Sequence, residues 1–388
     1  MPIPAPSTPG VLTGQSGGSF PSGPSTPVTG GVAIDPNVAI LDEETQENDQ
    51  AWAKLTDEEL AKIVKADRDW AYSSFQIYYD KLPDYYKLYR SYSDNAVTEG
   101  RSNIFVPYVF TMTENMHARM MSAFFSQRPF IRITPREPAP TTDATLSAQK
   151  AEVYLDSQMD SPRSLRTFDC WLKMAEVFGT AYYKTRWTTQ KGYRIKRQKS
   201  GVPGLPGETL SGGAGPEETI IYDGPDGSVF APGQLLPDPT CGPDVQKAAF
   251  IIEEGYKPLS YFQQKEKEGV YVNTKDITAS SSTPVFPALH RMASANKATE
   301  GAVPENRKMV KYWEAHYAGG WVFTIVEEKF VIGRRKSIIA HGLYPYVAAH
   351  FIQVMDEPFG IGIAEILEAL QEELNTGRNQ RTDNINYS

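Results

Sequence analysis

Cysteine is scarce in this chain of 388 residues, which contains only Cys170 and Cys241. Two cysteines cannot build a disulfide framework, and they lack the clustered spacing of a zinc site, so a reducing compartment is the simplest expectation. Long apolar runs are missing too. The first residues, MPIPAPSTPGVLTG, have neither a basic start nor an apolar stretch and predict no signal peptide. No segment is long and apolar enough to predict a membrane span.

Basic residues are also fewer than acidic ones. The chain has 39 lysines and arginines against 47 aspartates and glutamates, which gives a formal net charge of -8. This balance argues against indiscriminate attraction to nucleic acid, although it leaves room for a local basic patch. With 40% hydrophobic and 11% aromatic residues, the composition is that of a globular protein with a sizeable core.

Motifs of catalytic sites are lacking as well. The match to G-x-S-x-G, at Gly14 to Gly18, falls in a low-complexity stretch, and no phosphate-binding G-x-x-x-x-G-K-[ST] run occurs. Gly360 and Gly362 resemble the start of a dinucleotide fingerprint. Glu365 stands in place of the third glycine and opposes a phosphate, so we favour a closely packed hinge between a strand and a helix.

Histidines and paired carboxylates do not form a predicted site either. The adjacent glutamates 253–254 and 327–328 lie in strand-like segments, where neighbouring side chains point to opposite faces. The sequence therefore predicts no enzyme, no cofactor and no metal site. The histidines, which have no metal-ligand spacing, are His117, His290, His316, His341 and His350.

Composition divides the chain into three parts. Residues 1–40 are rich in Pro, Gly, Ser and Thr and predict a flexible tail. Residues 41–357 predict an α+β body with helices first and small mixed or antiparallel sheets later, in which 269–308 is an irregular surface excursion. Residues 358–388 predict the start of a long helix.

Helical periodicity dominates the first half of the body. Thr56 and Glu59 predict a capping box. Two helices follow, and we expect the break between them near Pro83. A further helix is predicted for residues 108–125.

Strand patterns are mixed with helices in the middle of the chain. RPFIRITPRE predicts a short strand, because Ile131 and Ile133 alternate with polar residues. Helices are predicted at about 144–160 and 163–181, and strands after that. EETIIYDGPDGSVF predicts a strand and a turn, and the pair Gly319 and Gly320 predicts a hairpin turn.

The most concentrated charge feature is KTRWTTQKGYRIKRQK, residues 184–199, which has seven basic residues and no acid. Such a hairpin can face phosphates or an acidic partner protein. It can equally be a solvated hairpin balanced by neighbours such as Glu217, Glu218 and Asp223, and the sequence leaves both interpretations open. The basic residues are Lys184, Arg186, Lys191, Arg194, Lys196, Arg197 and Lys199.

The last stretch, PFGIGIAEILEALQEELNTGRNQRTDNINYS, changes from apolar and acidic to amide-rich and basic. Its first half predicts one apolar stripe that packs against the body or a neighbouring subunit: Ile363, Ile366, Leu367, Leu370 and Leu374. Later side chains suit hydrogen bonds between subunits or a wet lumen. The candidate channel or subunit-interface residues are Gln371, Asn375, Arg378, Asn379 and Arg381.

Five phrases occur in one order along the chain: RSNIFVPYVFTMTENMHARMMSAFFSQRPFIRITPRE, WLKMAEVFGTAYYKTRW, LLPDPTCGPDVQKAAFIIEEG, AHGLYPYVAAHFIQV and EPFGIGIAEILEALQEELNTGRNQRTDN. This arrangement resembles the portal, or head-tail connector, proteins of tailed double-stranded DNA bacteriophages. The resemblance extends over about residues 51–388. It implies a wing of helices and small sheets at 51–357, followed by the first stem helix. On that pattern we expect the clip, the second stem helix and the crown beyond Ser388.

The resemblance also implies a function. Portal subunits form a ring, usually of twelve copies, at one capsid vertex, through which DNA is packaged and ejected. The implied partners are other copies of the chain, the major capsid protein, the terminase motor, tail adaptor proteins and double-stranded DNA. The implied location is the virion, with the host cytoplasm during assembly. A second hypothesis is a nucleic-acid-processing enzyme or accessory factor that uses the basic hairpin 184–199.

Overall fold

A computed structural model of the chain describes residues 52–91, 101–135, 142–195, 216–277, 309–337 and 342–387. All of these residues lie in one compact unit, Leu41–Ser388. The predicted tail at 1–40 lies outside the described residues, and so does most of the excursion predicted at 269–308. None of the helices in the described ranges has the length and apolar character needed to cross a membrane.

The fold is α+β, as the sequence predicted, and it carries a long helix at its C-terminal end. Most helices precede the sheets in the chain. The helices are α1 (Asp57–Ser74), α2 (Gln76–Tyr89), α3 (Tyr108–Phe125), α4 (Thr142–Met159), α5 (Pro162–Phe178), α6 (Leu259–Lys267) and α7 (Ile363–Asn386).

The strands form two antiparallel sheets. One has three strands in the order β2-β1-β8, and the other has five in the order β3-β4-β5-β6-β7. The strands are β1 (Thr180–Ile195), β2 (Pro216–Phe230), β3 (Leu235–Pro237), β4 (Phe250–Pro258), β5 (Met309–Tyr317), β6 (Trp321–Val326), β7 (Phe330–Lys336) and β8 (Tyr346–His350).

The five-stranded sheet is buried on both faces. On one face, Trp313 and Phe323 belong to the main core together with Leu60 of α1. Neighbouring residues on the strands alternate, so Tyr312 lies on the other face in a smaller cluster with Phe262 of α6. Two helices on opposite sides therefore remove this sheet from water.

The start of α1 matches the prediction, but the break between α1 and α2 does not. Thr56 and Glu59 form the capping box. The predicted break at Pro83 is wrong, because α2 continues through it and the interruption falls at Phe75. The Phe75 ring packs edge-on against Phe359 at 5.1 Å, so long-range aromatic packing holds the bend at this residue.

The short strand predicted in RPFIRITPRE is also wrong. Described residues 128–135 make no strand pairing. The amide of Phe130 donates to Asp156 at 3.1 Å, and that of Ile133 donates to Glu152 at 3.0 Å. Side chains of α4 thus satisfy donors that a neighbouring strand would otherwise have satisfied.

Two sequence predictions about turns and strands are wrong. The turn predicted in EETIIYDGPDGSVF is absent, because all of these residues lie in β2, which pairs with β1 along its length with one register shift at Gln190 and Lys191; Asp226 lies opposite Arg186. β2 is an edge strand, where a proline in the run is tolerated. Glu327 and Glu328, predicted as strand residues, form the turn between β6 and β7 with φ values of 51° and 61°. The predicted turn at Gly319 and Gly320 is confirmed by φ values of 89° and 84°.

Three glycines bring α5, β1 and α7 into direct backbone contact. Gly179 ends α5 with φ 87°, earlier than the sequence predicted. A Cβ atom on Gly179 would lie 1.9 Å from the carbonyl oxygen of Gly360, and one on Gly362 would lie 2.5 Å from that of Val177. The Gly360 amide donates to the Thr180 hydroxyl at 2.7 Å. This packing leaves no room for a phosphate. The close packing that the sequence predicted at Gly360 and Gly362 is confirmed, whereas their function as a hinge stays a prediction.

We expect Gly179→Ala to lower the free energy of unfolding by about 3 kcal/mol or more, because it combines a positive φ with a backbone clash. The matched control is Gly377→Ala in α7, where a Cβ would meet nothing within 4 Å. Removing a helical glycine there should stabilise the chain by about 0.5–1 kcal/mol. Chemical denaturation of both variants measures the difference, and equal effects would contradict the assignment of a tight junction.

Candidate functional site

The apolar stripe predicted on α7 divides into an inner and an outer part. Ile363 is buried, and Leu367 packs against the main core. Ile366, Leu370 and Leu374, four residues apart, are all exposed. The inner part therefore attaches α7 to the body, and the outer part is an apolar line facing away from it.

The amide side chains of α7 bind an extended segment, residues 102–107, that precedes α3. The Gln371 carbonyl oxygen accepts hydrogen bonds from the amides of Tyr108 and Val109, both at 3.1 Å. Asn375 accepts from the Val106 amide at 2.9 Å. Gln371 is fully buried, so these bonds satisfy donors at the start of α3 that water cannot reach.

The same pattern continues for two more turns of α7. Asn379 accepts from the Ile104 amide at 2.7 Å and donates to the Ile104 carbonyl at 3.3 Å. Asp383 accepts from the Ser102 amide at 2.7 Å. Hydrogen bonding to Ser102 lowers the pKa of Asp383. We call the four side chains on α7 the amide ladder: Gln371, Asn375, Asn379 and Asp383.

Three of the five predicted interface residues belong to the amide ladder. The hydrogen-bonding groups of Gln371, Asn375 and Asn379, which we expected to face other subunits or a lumen, are engaged within the chain. Arg378 and Arg381 are exposed, and their role in a channel or interface stays a prediction. The sequence does contain the signal, an amide or carboxylate every fourth residue, but it does not identify the segment that this signal binds.

The described part of the basic hairpin is balanced by acids. Arg186 forms an ion pair at 2.8 Å with buried Asp226, and Lys191 pairs at 3.3 Å with Glu218. Lys184 does not reach the surface, because its side chain is only 13% exposed. Arg186 and Lys191 are charge-balanced in the way the second interpretation expects, whereas the buried Lys184 fits neither interpretation. The described residues 184–195 lie in the single strand β1 and do not form a hairpin by themselves. Of the others, Arg194 lies in β1, and Lys196, Arg197 and Lys199 lie outside the described residues.

Lys184 is the centre of an ionic cluster that joins the two sheets. Its ammonium lies 2.5 Å from Glu253 and 3.1 Å from Glu314, which face each other on β4 and β5. Tyr312 and Tyr346 each donate to Glu253 at 2.8 Å. Glu253 and Glu254 point to opposite faces as predicted, but the cross-strand partner Glu314 was not foreseen, because pairing register cannot be read from the sequence.

Burial and the neighbouring charges act in opposite directions on the ionisation of Glu314 and Lys184. Burial favours neutral Glu314, but the His316 hydrogen bond and the charge of Lys184 outweigh it and hold the pKa of Glu314 well below its ordinary value of 4.5. Burial also opposes a charged Lys184, yet Glu253 and Glu314 raise its pKa. Lys184 and Glu314 are therefore both charged at neutral pH and lie within ion-pair distance of each other, which suits a structural role between sheets.

A second buried polar group lies between α3 and α5. His117 Nε2 is 2.7 Å from Asp169, and His117 Nδ1 is 3.3 Å from Glu176. Burial raises the pKa of Glu176. Within the described ranges, no group of three or more histidine, cysteine or acidic side chains has an arrangement that can hold a metal ion. The contacts of His117 connect two helices.

Comparison with known proteins adds no identification. No family model matches the chain, and no curated protein matches it. The resemblance to portal proteins therefore rests on the quoted phrases and on the physical features of the chain.

Replacing Gln371 by leucine tests the ladder. Gln371→Leu keeps the size of the side chain but leaves the buried amide of Val109 without its acceptor, which should cost about 1–3 kcal/mol. The Tyr108 amide retains the Val106 carbonyl at 2.8 Å. Hydrogen exchange should become faster over residues 102–109. Gln380→Leu, at an exposed position of the same helix, is the control. Unchanged protection in Gln371→Leu would show that the ladder does not hold this segment.

The ionic cluster predicts a pH dependence. The folded-state pKa of Glu314 is depressed, so its contribution is complete above about pH 4.5 and is lost as the pH falls through the folded pKa. Glu314→Gln should lower the free energy of unfolding by about 3 kcal/mol at pH 7 and flatten its slope between about pH 5 and 3.

The control for this experiment is Glu218→Gln, in the exposed pair with Lys191. It should change stability by less than about 1 kcal/mol. Denaturant titrations at several pH values measure both variants. Parallel pH profiles for Glu314→Gln and the unsubstituted chain would contradict an ionised cluster.

Proposed function

We propose that the chain is a non-enzymatic structural subunit of a portal ring, with 51–357 as the wing and α7 as the first stem helix. In this role it assembles with copies of itself at a capsid vertex, where DNA passes and where motor and tail components dock. The order of the five phrases gives the class of assembly. The exposed apolar side chains of α4 are the structural observation that best supports a function in a multimer.

None of the 18 residues of α4, all of which are described, is buried. The helix nevertheless exposes large apolar side chains, of which Val153 is 70% exposed. A helix of this length gains most of its stability in water from packing an apolar face, not from its own propensity. The exposed apolar residues of α4 are Leu146, Val153, Tyr154 and Leu155. Leu146 and Val153, seven residues apart, lie on the same side of the helix, and exposed apolar side chains in this arrangement favour a protein interface.

The outer line of α7 supports the same proposal. Ile366, Leu370 and Leu374 form an exposed line beside the amide ladder, so α7 uses the ladder side within the chain and leaves the neighbouring apolar line exposed. A neighbouring subunit that packs on this line would remove it from water. Arg378 and Arg381, exposed farther along the helix, then have a wet environment in which sparse positive charge does not hold DNA tightly.

The alternative, an enzyme or accessory factor using the hairpin 184–199, draws no support from the described part of that hairpin. Lys184, Arg186 and Lys191 each have an acidic partner within ion-pair distance. Each of these pairs lowers the net positive charge that a phosphate would meet.

Counting the subunits in the assembled full-length protein tests the proposal. We expect negative-stain images to show rings of about twelve copies. Val153→Glu should reduce ring formation, because it puts a charge into an apolar interface. The control is Ala151→Glu, an exposed residue on the opposite side of α4. A protein that stays monomeric at high concentration and in assembled particles would overturn the proposal.

A further inference from the structure

A cavity of about 290 Å³ lies between α4, α5 and the ribbon formed by β1 and β2. It is separate from the amide ladder and from the ionic cluster. Most of its wall is aromatic or aliphatic, with a few polar groups at one side. The side chains used below are Leu155, Arg163, Ser164, Phe168, Trp171, Tyr183 and Asp226. Its volume is close to that of small-molecule sites in proteins.

The aromatic wall is held in place by contacts outside the cavity. The Trp171 indole donates to the Ala181 carbonyl at 3.0 Å, which fixes the plane of its ring. The Phe168 ring packs edge-on against Phe125 and Trp171, at 5.2 and 5.6 Å. Tyr183 lies against Gly227, where any Cβ would overlap its hydroxyl. Because these rings are anchored, the space between them is preformed and does not depend on a ligand to open it.

The polar side of the cavity carries an excess of positive charge. Asp226 is buried, and one of its oxygens accepts from Arg163 at 2.9 Å and from Arg186 at 2.8 Å. Two guanidinium groups thus share one carboxylate. Arg163 is half-exposed and lines the cavity, and in the described part of the chain its other N–H groups meet no acceptor. Those donors are available to an anion that enters the cavity.

We propose that this cavity is a binding site for a small organic anion: a compact aromatic body between Phe168, Trp171 and Tyr183, with a carboxylate on Arg163. The ring faces supply the area to be buried, and the guanidinium selects the charged group by hydrogen bonds of the charge-assisted kind. Asp226 orients Arg163 without neutralising the site, because Arg186 takes part of its charge. This inference does not rest on the proposed ring function, although Leu155 of α4 belongs to both the exposed surface and the cavity wall.

Two probe molecules of equal size test the aromatic wall and the Arg163 guanidinium separately. 2-Naphthoate has a fused aromatic body and one carboxylate, and 2-naphthamide is its neutral counterpart. We expect calorimetric titration of the full-length chain to show saturable binding of 2-naphthoate and at least about tenfold weaker binding of 2-naphthamide. Saturation-transfer NMR with the same probes should show contact through the rings.

Two substitutions locate the site. Arg163→Met keeps the length of the side chain, and Asp226 retains Arg186 as a partner, so the fold should persist. In this variant the affinity for 2-naphthoate should fall to that for 2-naphthamide. Ser164→Leu should fill the cavity and abolish binding of both probes. The control is Arg166→Met, which removes an exposed arginine of the same helix that does not line the cavity, and it should bind as the unsubstituted chain does.

Three results would overturn the proposal. The first is no saturable binding of 2-naphthoate by the full-length chain up to millimolar concentration. The second is equal affinity for the acid and the amide, which would remove any role for the guanidinium. The third is unchanged binding in Arg163→Met or Ser164→Leu variants whose circular dichroism and thermal unfolding match the unsubstituted chain, which would place the probe elsewhere.

Discussion

The backbone contact among Gly179, Gly360 and Gly362 is the constraint on which the rest of the arrangement depends. It joins the end of α5, the start of β1 and the entry to α7, with no side chain between them. The Gly179 carbonyl also accepts from the Phe351 amide at 2.9 Å, which places β8 beside β1. The direction in which α7 leaves the body is therefore fixed by atoms that have no freedom to move apart. A larger residue at any of the three positions would displace the whole helix.

From that fixed start, α7 can meet the extended segment 102–107 in register over three turns. Four residues of a helix rise about 6.0 Å, and two residues of an extended chain rise about 6.6 Å, so a side chain at every fourth position meets an amide at every second one. The amide ladder from Gln371 to Asp383 uses this near match. It binds main-chain groups of Ser102, Ile104 and Val106. The start of α3 is capped by the same means, and α7 becomes part of the body.

Local patterns predicted the local features and failed where the outcome depends on a distant partner. The bounds of α3, the capping box at Thr56 and the glycine hairpin turn at Gly319 depend on neighbours in sequence, and all three are confirmed. The strand predicted around Ile131 failed because two carboxylates of α4 bind its amides. The burial of Lys184 could not be foreseen, since its partners Glu253 and Glu314 come together only through strand register. The sequence also predicted hydrogen-bonding amide side chains on α7, but it did not identify the segment 102–107 that they bind.

The hydrogen bonds and ion pairs within the chain determine which groups remain exposed on its surface. The ladder amides, the carboxylates of the inter-sheet cluster and the side chains of Lys184, Arg186 and Lys191 have their partners within the chain. α4 and the outer side of α7 leave several large apolar side chains exposed. Apolar surface is favourable to bury and carries no charge for a phosphate to recognise. This division of polar and apolar groups supports the proposal that the chain packs against other protein subunits.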